Sequence, residues 1–477
     1  GLGDVYKRQG SIYDKPESSA TQWSLMSYLA RINYSLYDRY LFSVNGRVDG
    51  SSRFGGNNKY GFFPSGSVAW RISEEGFMEP VKAVINNLKL RTSYGFTGNT
   101  EIGVYESLAT LESNSWTIGN QLVSGFYPNR IPNPDLKWEK TGQFDIGFDL
   151  GLFNNRLRLT ADYYYKKTTD LLYNVAIPSA SGYDSMLKNI GSVQNKGYEL
   201  SIESDNLSGA FSWTTAFNIS FNRNKVLELG GETYKDVGTY DDHLKTSDIR
   251  RLIVGQPIGV FYGYRFDGIF QNEAECAQQT SSPSPIGVGL RRYKDLNGDG
   301  KIDATNDREI LGDANPKFFG GMTNTFAYRG FELNVFLQYS YGNKIFNYNA
   351  MELESPTGGQ NVYQDLVNRW TPTNPSNEYQ KATTNRNNIV SDRFIEDGSF
   401  LKLKTVSLSY SFPKLNWKHI GGLRLYVTGQ NLLTWTKYRG YDPEVSYRGA
   451  STLEAGEDFG GYPQARTFMF GIKLDIK

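Results

Sequence analysis

The chain contains very few residues of the kinds that bind metals through sulfur or nitrogen. Among 477 residues there is one cysteine, Cys276, and there are two histidines, His243 and His419. One cysteine cannot form an internal disulfide, and this set cannot build a Cys/His zinc cluster. We expect all three residues to lie in loops without a catalytic role. Any bound metal must therefore be one that oxygen ligands hold.

Net charge and long apolar runs are also lacking. Lys plus Arg number 51 and Asp plus Glu number 50, which leaves a net charge of +1. This balance predicts no nucleic acid as a partner, since nucleic-acid binding needs a positive field. The mean hydropathy is −0.51, and no apolar run is long enough for a membrane helix. Membrane-spanning β-barrels escape this test because only every second strand residue is apolar.

Strict alternation of apolar and polar residues is the dominant pattern. It is clear in "FSWTTAFNISFN", "FELNVFLQYSY", "QFDIGFDLGL" and the C-terminal "FMFGIKLDIK". A period of two predicts β-strands with one apolar face. The runs reach about ten residues, which is the length that a tilted strand needs to cross a bilayer. We count about fourteen such segments, within single-sequence error.

The connections between these segments are unequal in length. Short turns such as "GLFNNRL" and "AYRGF" alternate with long polar stretches. The long stretches are Thr100–Asn133, Gly230–Ser247, Ser281–Asn315 and Glu352–Asp392. Short turns at one end and long loops at the other are typical of outer-membrane barrels. The sequence thus predicts an all-β fold, a transmembrane antiparallel β-barrel with long extracellular loops.

The polar face of the predicted strands carries charges. We expect it to face a lumen too wide for side chains to fill, and we expect the apolar face to contact lipid. The inward set is Asp145, Asp149, Arg158, Asp162, Glu332 and Asn334. One strand, "FLKLKTVSLSYSF", changes phase between Leu403 and Val406. Either a β-bulge or a strand that leaves the bilayer partway explains this shift.

The stretch "DLNGDGKIDATND" has the spacing of a calcium-binding loop. Oxygen ligands at alternating positions followed by a glycine are the pattern that wraps a backbone around a hard cation. The candidate ligands are Asp295, Asn297, Asp299, Lys301 (through its carbonyl), Asp303 and Asp307. The twelfth position is Asn306 instead of a bidentate Glu. The alternative is an acidic turn without a metal, and no flanking helix pair is present to act as a sensor.

An enzymatic site is not indicated. The carboxylate pairs Asp241–Asp242 and Glu352–Glu354 lie in predicted loops without a catalytic constellation, so we interpret them as solvated charges. Substrate contacts in a transporter are expected from aromatic residues of the long loops. The candidates are Tyr105, Trp116, Tyr127, Tyr240, Tyr363 and Trp370, although packing within the loops explains each of them equally.

Several segments resemble one family. They are "EDGSFLKLKTVSLSYSFP", "GQNLLTWTKYRGYDPEVS", "GYPQARTFMFGIKL", "NPDLKWEKTGQFDIGFDLGLFNNRLRLTADYYYKKTTDLL", "NIGSVQNKGYEL" and "GQPIGVFYGYRFDGIFQ", together with the stretch at Asp295. The resemblance is to SusC-like TonB-dependent outer-membrane transporters (the RagA/SusC family) of Bacteroidetes. It covers nearly all of the chain from about Tyr28 onward.

The resemblance implies a barrel of about 22 strands with an N-terminal plug, in the cell outer membrane. It implies TonB and a SusD-like surface lipoprotein lid as partners, and active import of oligosaccharides or peptides. The plug and first strands would precede residue 1. We therefore expect residues 1–26 to be a non-native or poorly defined end and residues 27–477 to be the C-terminal barrel portion.

Two other functions stay open on the sequence. One is a secreted β-rich carbohydrate-binding or hydrolytic protein with a calcium-clamped loop, and the other is a passive porin-type barrel. In a secreted protein, the apolar faces of the strands would not contact lipid. The porin would need no energy source.

Overall fold

The computed structural model describes residues 20–177, 183, 185–238, 249–355, 361–384, 388–412, 420–444, 446–449 and 451–476. The predictions for residues 1–19, Asp241, Asp242, His243, Tyr240 and His419 lie outside these ranges. The first strand begins at Leu25. The predicted domain division at residue 26 stays a prediction.

The described residues form 26 strands. In chain order they are β1 Leu25–Leu36, β2 Tyr40–Ser51, β3 Tyr60–Arg71, β4 Ile85–Asn99, β5 Thr110–Ile118, β6 Gln121–Arg130, β7 Glu139–Leu152, β8 Leu157–Thr169, β9 Leu172–Ala176, β10 Ser185–Asn189, β11 Ser192–Leu207, β12 Phe211–Glu228, β13 Tyr234–Val237, β14 Arg250–Ile253, β15 Val260–Tyr264, β16 Phe266–Ile269, β17 Arg291–Tyr293, β18 Arg308–Asp313, β19 Phe318–Tyr328, β20 Phe331–Tyr341, β21 Lys344–Asn347, β22 Ile395–Asp397, β23 Phe400–Ser411, β24 Ile420–Thr436, β25 Glu457–Asp458 and β26 Thr467–Ile476.

Helices are few and short. Among the described residues, the α-helices are α1 Glu273–Cys276 and α2 Tyr348–Leu353, and the 3₁₀ turns are Ile72–Glu74, Gly76–Val81, Gln364–Asn368 and Asp392–Phe394. Within the described part of the chain, no helix has the length and apolarity that a membrane span requires.

Thirteen strands form one antiparallel sheet, which we call the wall. Its order is β1-β2-β3-β4-β7-β8-β11-β12-β19-β20-β23-β24-β26. Each strand pairs with the next wall strand along the chain, and the strands run from 10 to 18 residues. The prediction of about fourteen long strands is confirmed to within its error.

The two faces of the wall differ as the alternation predicts. On β26, Phe468, Phe470 and Ile472 share one face, and the register continues this face onto Val427 and Leu425 of β24. The opposite face carries the charges, where Arg91 pairs with Asp149 at 3.3 Å and with Asp162 at 2.7 Å. An apolar face suits lipid and a charged face suits an aqueous lumen.

The phase change in β23 is a β-bulge. The pairing of β23 with both neighbours shifts at Lys404, between Leu403 and Thr405. Because of this extra residue, Leu401 and Leu403 before the bulge face the same side as Val406 after it. The bulge alternative is therefore confirmed, and it keeps both apolar runs against lipid.

Among the described connections, the shortest turns lie at one end of the wall and the longest connections all lie at the other, with 52–59 and 72–84 as the exceptions in length. Those at one end span 37–39, 72–84, 153–156, 208–210 and 329–330. Those at the other end span 52–59, 100–138, 170–191, 229–317, 342–399 and 437–466. Two predicted loops, Gly230–Ser247 and Ser281–Asn315, belong to one connection. "GYRFDGIF" lies within this connection as β15 and β16 and is not a wall strand.

Candidate functional site

The connections 229–317, 342–399 and 437–466 fold together at the long-connection end, and we call their described residues the loop body. The first two share a buried apolar core, against which Phe459 of the third packs. The buried residues of this core are Ile249, Phe261, Phe346, Tyr348, Ala350, Met351, Val390 and Phe394. A parallel pairing of β21 with β25 joins the second connection to the third. The mouth of the barrel thus carries a packed body with its own core.

A buried ion pair links the first and third connections. Arg250 on β14 donates from Nε to Glu457 at 3.0 Å, and both side chains are 1% exposed. The guanidinium also lies 4.2 Å from the ring centre of Phe261. Burial lowers the pKa of Arg250 and raises the pKa of Glu457, each against the pull of the partner's charge. Such a pair is costly to break from one side.

A second set of ion pairs centres on Glu354, which follows helix α2. Its carboxylate accepts from Arg393 at 2.8 Å and from Arg439 at 3.1 Å. Arg439 also contacts Glu396 at 2.8 Å. These contacts join the connection 342–399 to the connection 437–466. The interpretation of Glu354 as a solvated charge in a loop is wrong, because its side chain is 1% exposed.

The third connection is fastened to the inner face of the wall by a charge cluster that we call the latch. Lys402 of β23 is 2% exposed and contacts both Asp442, at 2.6 Å, and Glu444. Lys404, the bulge residue, contacts Glu444 at 2.8 Å. The side-chain amide of Gln338 on β20 also donates to Glu444, at 3.0 Å. Three wall side chains therefore hold one loop.

The latch carboxylates are held in the ionised form. Burial, the largest single cause, would raise the pKa values of Asp442 and Glu444. The hydrogen bonds and positive charge of Lys402, together with backbone amides at Asp442, jointly outweigh burial, so both pKa values lie below their ordinary values. Lys404 adds to this effect at Glu444. The latch is thus an ionic contact at neutral pH.

The hairpin β5–β6 differs from the loop body because it has no covering. It projects from the connection 100–138, and its residues are exposed along both strands. The register places Trp116 and Tyr127 on one face and Leu122 and Phe126 on the other. Leu122 is 77% exposed and Phe126 is 74% exposed. A ribbon with two apolar faces is a typical docking element.

An apolar cavity of about 340 Å³ lies where the connection 170–191 meets β12 and the loop body. Its lining is mainly aliphatic, with Leu172, Val226, Leu252 and Leu453 as examples. The carboxylate of Glu139 also lines it, but this group already accepts from the Leu172 amide and from Asn99, both at 2.8 Å. The cavity therefore offers apolar contact and little hydrogen bonding.

The predicted calcium loop lies at the surface of the loop body. Asp295 accepts from the amides of Gly298 and Gly300, Asp299 from that of Lys301, and Asp303 from those of Thr305 and Asn306. Hydrogen bonds from the latter two amides lower the pKa of Asp303. Asn297 is exposed and lies between these acceptors.

Asp307 is the buried centre of this loop. It is 0% exposed and accepts from the amides of Leu296 and Asp303, both at 2.8 Å. The described residues contain no group of three or more His, Cys, Asp or Glu side chains placed to hold a metal. Each oxygen of Asp295 and Asp307 accepts one amide bond and keeps a second lone pair, whereas Oδ1 of Asp303 accepts from two amides. Calcium binding at this loop stays a prediction.

The other candidate residues fall into two groups. Trp116 and Tyr127 lie on the exposed hairpin, and Tyr105 lies in the same connection at φ +68°. Tyr363 packs against the core of the loop body. Trp370 donates from Nε1 to Gln271 at 3.2 Å and lies over Gly289, where φ is +83° and a Cβ would come within 2.5 Å of the indole.

Cys276 is buried at the end of α1, and its thiol pKa is raised by this burial and then by the neighbouring Glu273 and Glu275. The latch and the Arg250–Glu457 pair were not foreseen from the sequence. In the sequence, one signal indicates the latch: two lysines, Lys402 and Lys404, lie next to the phase change of β23.

The geometry defines a class of protein, a transmembrane β-barrel wall with a charged inner face and a large folded mouth. A sequence profile described as "TonB dependent receptor-like, beta-barrel" matches residues 1–299. The chain belongs to this family, and it is a protein of the outer membrane. The secreted alternative is therefore wrong.

Named relatives agree with this assignment. The chain is 40% identical over 474 residues to TonB-dependent receptor P3 of Formosa agariphila, with 98% of this chain and 47% of that protein covered. It is 32% identical over 472 residues to TonB-dependent receptor SusC of Bacteroides thetaiotaomicron, with 96% and 44% covered. These relatives are receptors and are not named as enzymes.

A solved structure shares the fold. The RagAB peptide transporter structure superposes with a TM-score of 0.82 at 27% identity, and the match covers 98% of this chain and 49% of that chain. The chain spans about half the length of the curated relatives it matches.

Proposed function

We propose that the complete protein imports oligosaccharides or peptides across the outer membrane, energised through TonB, and that a SusD-like surface lipoprotein closes its mouth. The observation that carries this proposal is the mouth itself. A passive pore needs a permanently open mouth, whereas this one holds a packed loop body fastened to the inner wall at Lys402.

The family assignment supports the energy source. Members are named TonB-dependent receptors, and their chains are about twice as long as this one. In such a chain, further strands would pair with the exposed edges of β1 and β26, and a plug would contact the charged inner face. The charged side chains of the inner face, such as the paired Arg91 and Asp162, are suited to a hydrated interface with a plug.

Uptake of labelled substrates tests this proposal. Cells that produce the complete protein are given labelled oligosaccharide and peptide pools, with and without a protonophore that collapses the proton gradient. We expect accumulation of one pool, and we expect the protonophore to abolish it. Accumulation that the protonophore leaves unchanged would instead establish the passive porin. Cells that lack the gene provide the control.

The lid is the finer part of the proposal, and the hairpin β5–β6 supports it. Both faces of this hairpin expose large apolar side chains at the extracellular end, so a protein partner there would bury area that now contacts water. A photo-crosslinking residue at position 122 is expected to yield an adduct with a lipidated surface protein. The matched control is position 208, in a turn at the opposite end of the wall. No adduct at 122, or the same adduct at both positions, would contradict the lid.

A further inference from the structure

One connection at the short-connection end is longer than its neighbours and is fastened to the lipid side of the wall. The connection 72–84 contains two 3₁₀ turns, Ile72–Glu74 and Gly76–Val81. The carboxylate of Glu75 accepts from the Tyr40 hydroxyl at 2.7 Å and from the Trp70 indole at 2.9 Å. This carboxylate therefore lies beside the side chains of two wall strands.

The register shows on which face these two side chains lie. Tyr40 pairs with Trp70, and the same face continues through Phe42, which pairs with Val68. This is the apolar, lipid-facing side of β2 and β3. The connection consequently folds back under the outer face of the wall instead of entering the lumen.

Exposed apolar side chains mark this edge. In the connection itself they are Phe77, Val81 and Val84, of which Phe77 is 65% exposed. The two neighbouring turns each add an aromatic residue, Tyr37 at φ +53° and Phe153 at φ +55°. Hydrogen bonds from Arg71 to the carbonyl of Arg39 and from Phe153 to the carbonyl of Val84 join the three connections into one edge.

The acidic side chains of the connection are each paired with a basic side chain, and two of these basic side chains come from Arg39 and Arg71, which lie outside the connection. Arg39 contacts Glu75 at 3.1 Å, Arg71 contacts Glu74 at 3.3 Å and Lys82 contacts Glu79 at 2.6 Å. Polybasic segments are what attract a protein to anionic lipid, and this segment has no excess of positive charge. Its polar groups suit a zwitterionic headgroup layer, and its apolar groups suit the acyl boundary just beneath.

We propose that the connection 72–84, with the turns 37–39 and 153–156, is an interfacial foot that inserts into the periplasmic leaflet of the outer membrane. Short turns of outer-membrane barrels face the periplasm, which fixes the leaflet. The occupant of the surface is phospholipid, because the patch is continuous with the lipid-facing wall through Tyr40 and Trp70. This inference depends on the wall spanning the outer membrane, and it does not depend on the proposed transport function.

Spin-label depth measurements test the foot. The complete protein, with Cys276 and any other cysteine replaced by Ser, carries a nitroxide at position 77 or 81 and is reconstituted in phosphatidylcholine bilayers. Position 208, in another short turn, is the matched control. Heat-modifiable migration on gels confirms that each variant is folded.

At positions 77 and 81 we expect relaxation by oxygen to exceed relaxation by a water-soluble nickel chelate, with a depth of about 5–10 Å below the headgroups. At position 208 the nickel chelate should dominate. Equal relaxation at 77, 81 and 208 would overturn the proposal. Shielding of 77 and 81 from both reagents would overturn it as well, since it would show a protein partner at this edge.

Discussion

The hairpin β5–β6 and the loop body lie at the same end of the wall and are built in opposite ways. The loop body encloses its own core and joins distant connections by buried ion pairs such as Arg250–Glu457. The hairpin exposes apolar side chains on both faces and is joined to the rest through one connection. Both contain large apolar side chains, and they differ in whether these side chains are covered.

This contrast indicates separate roles. An element that is already packed loses little by staying alone and can act as a rigid platform. An isolated two-stranded hairpin is marginal in water and gains stability when a partner covers it. We therefore expect substitutions in the loop body to reduce stability and substitutions in the hairpin to reduce partner binding.

The largest effect is expected from breaking the buried pair of the loop body. Glu457→Leu leaves the Arg250 guanidinium buried without a carboxylate, at a cost of about 3–5 kcal/mol. The measurement is the temperature at which a protease cuts the loop body in the folded barrel. The double variant Arg250→Met/Glu457→Leu should recover much of the loss. A double variant as labile as the single one would contradict the role of the pair.

Removal of the latch lysine should have the next largest effect. Lys402→Met leaves Asp442 buried without its cation, although Lys404 still contacts Glu444, so we expect a loss of about 3 kcal/mol. The control is Lys82→Met, which removes a pair that the rest of the protein leaves largely uncovered and should cost about 0–1 kcal/mol. Both are compared by thermal unfolding in the same detergent. Equal losses would show that the latch does not anchor the loop.

Acid should release the latch. Asp442 and Glu444 have folded pKa values below their ordinary ones, which are about 3.9 and 4.3. Their stabilising contribution is therefore complete above the unfolded values and is lost as the pH falls through the lowered folded values. Protease cleavage within 437–466 should increase in this acid range. Cleavage that stays constant as the pH falls from neutral to well below both ordinary pKa values would contradict the ionic latch.

The hairpin should respond differently from both ionic sites. Leu122→Ser and Phe126→Ser change exposed side chains, so we expect thermal stability to stay within about 0.5 kcal/mol. Co-purification of the proposed lipoprotein partner with the receptor should fall instead. Ser115→Ala, on the same hairpin, is the control that removes no apolar area. Loss of barrel stability in the serine variants would place the hairpin in a packed core.

The smallest effect is expected at the calcium loop. Asp295→Ala with Asp299→Ala removes two exposed or half-exposed acceptors of backbone amides, whereas Asp307 stays buried and intact. If calcium binds, added calcium should slow protease cleavage of the loop in the parent and not in the variant. An unchanged metal content in the variant would count against the site.

The wall could be predicted from the sequence because its information is local. Alternation over ten or more residues fixes which side faces lipid, and the phase change at Lys404 marks the bulge. The loop body could not be predicted in this way. Its strands are as short as β17 and β25, and the partners of its main ion pair are 207 positions apart. The exposed face of the hairpin was not predicted, because the exposure of Phe126 depends on which other segments pack near it.

Hydrogen–deuterium exchange of the complete protein, alone and with its crosslinked lipoprotein, tests the contrast between hairpin and loop body most directly. Amides of β14, β15 and β21 should be protected in both samples. Amides of β5 and β6 should exchange fast in the free protein and slow down in the complex. Protection of β5–β6 in the free protein, or no change in the complex, would contradict a mouth made of a rigid platform and an uncovered docking hairpin.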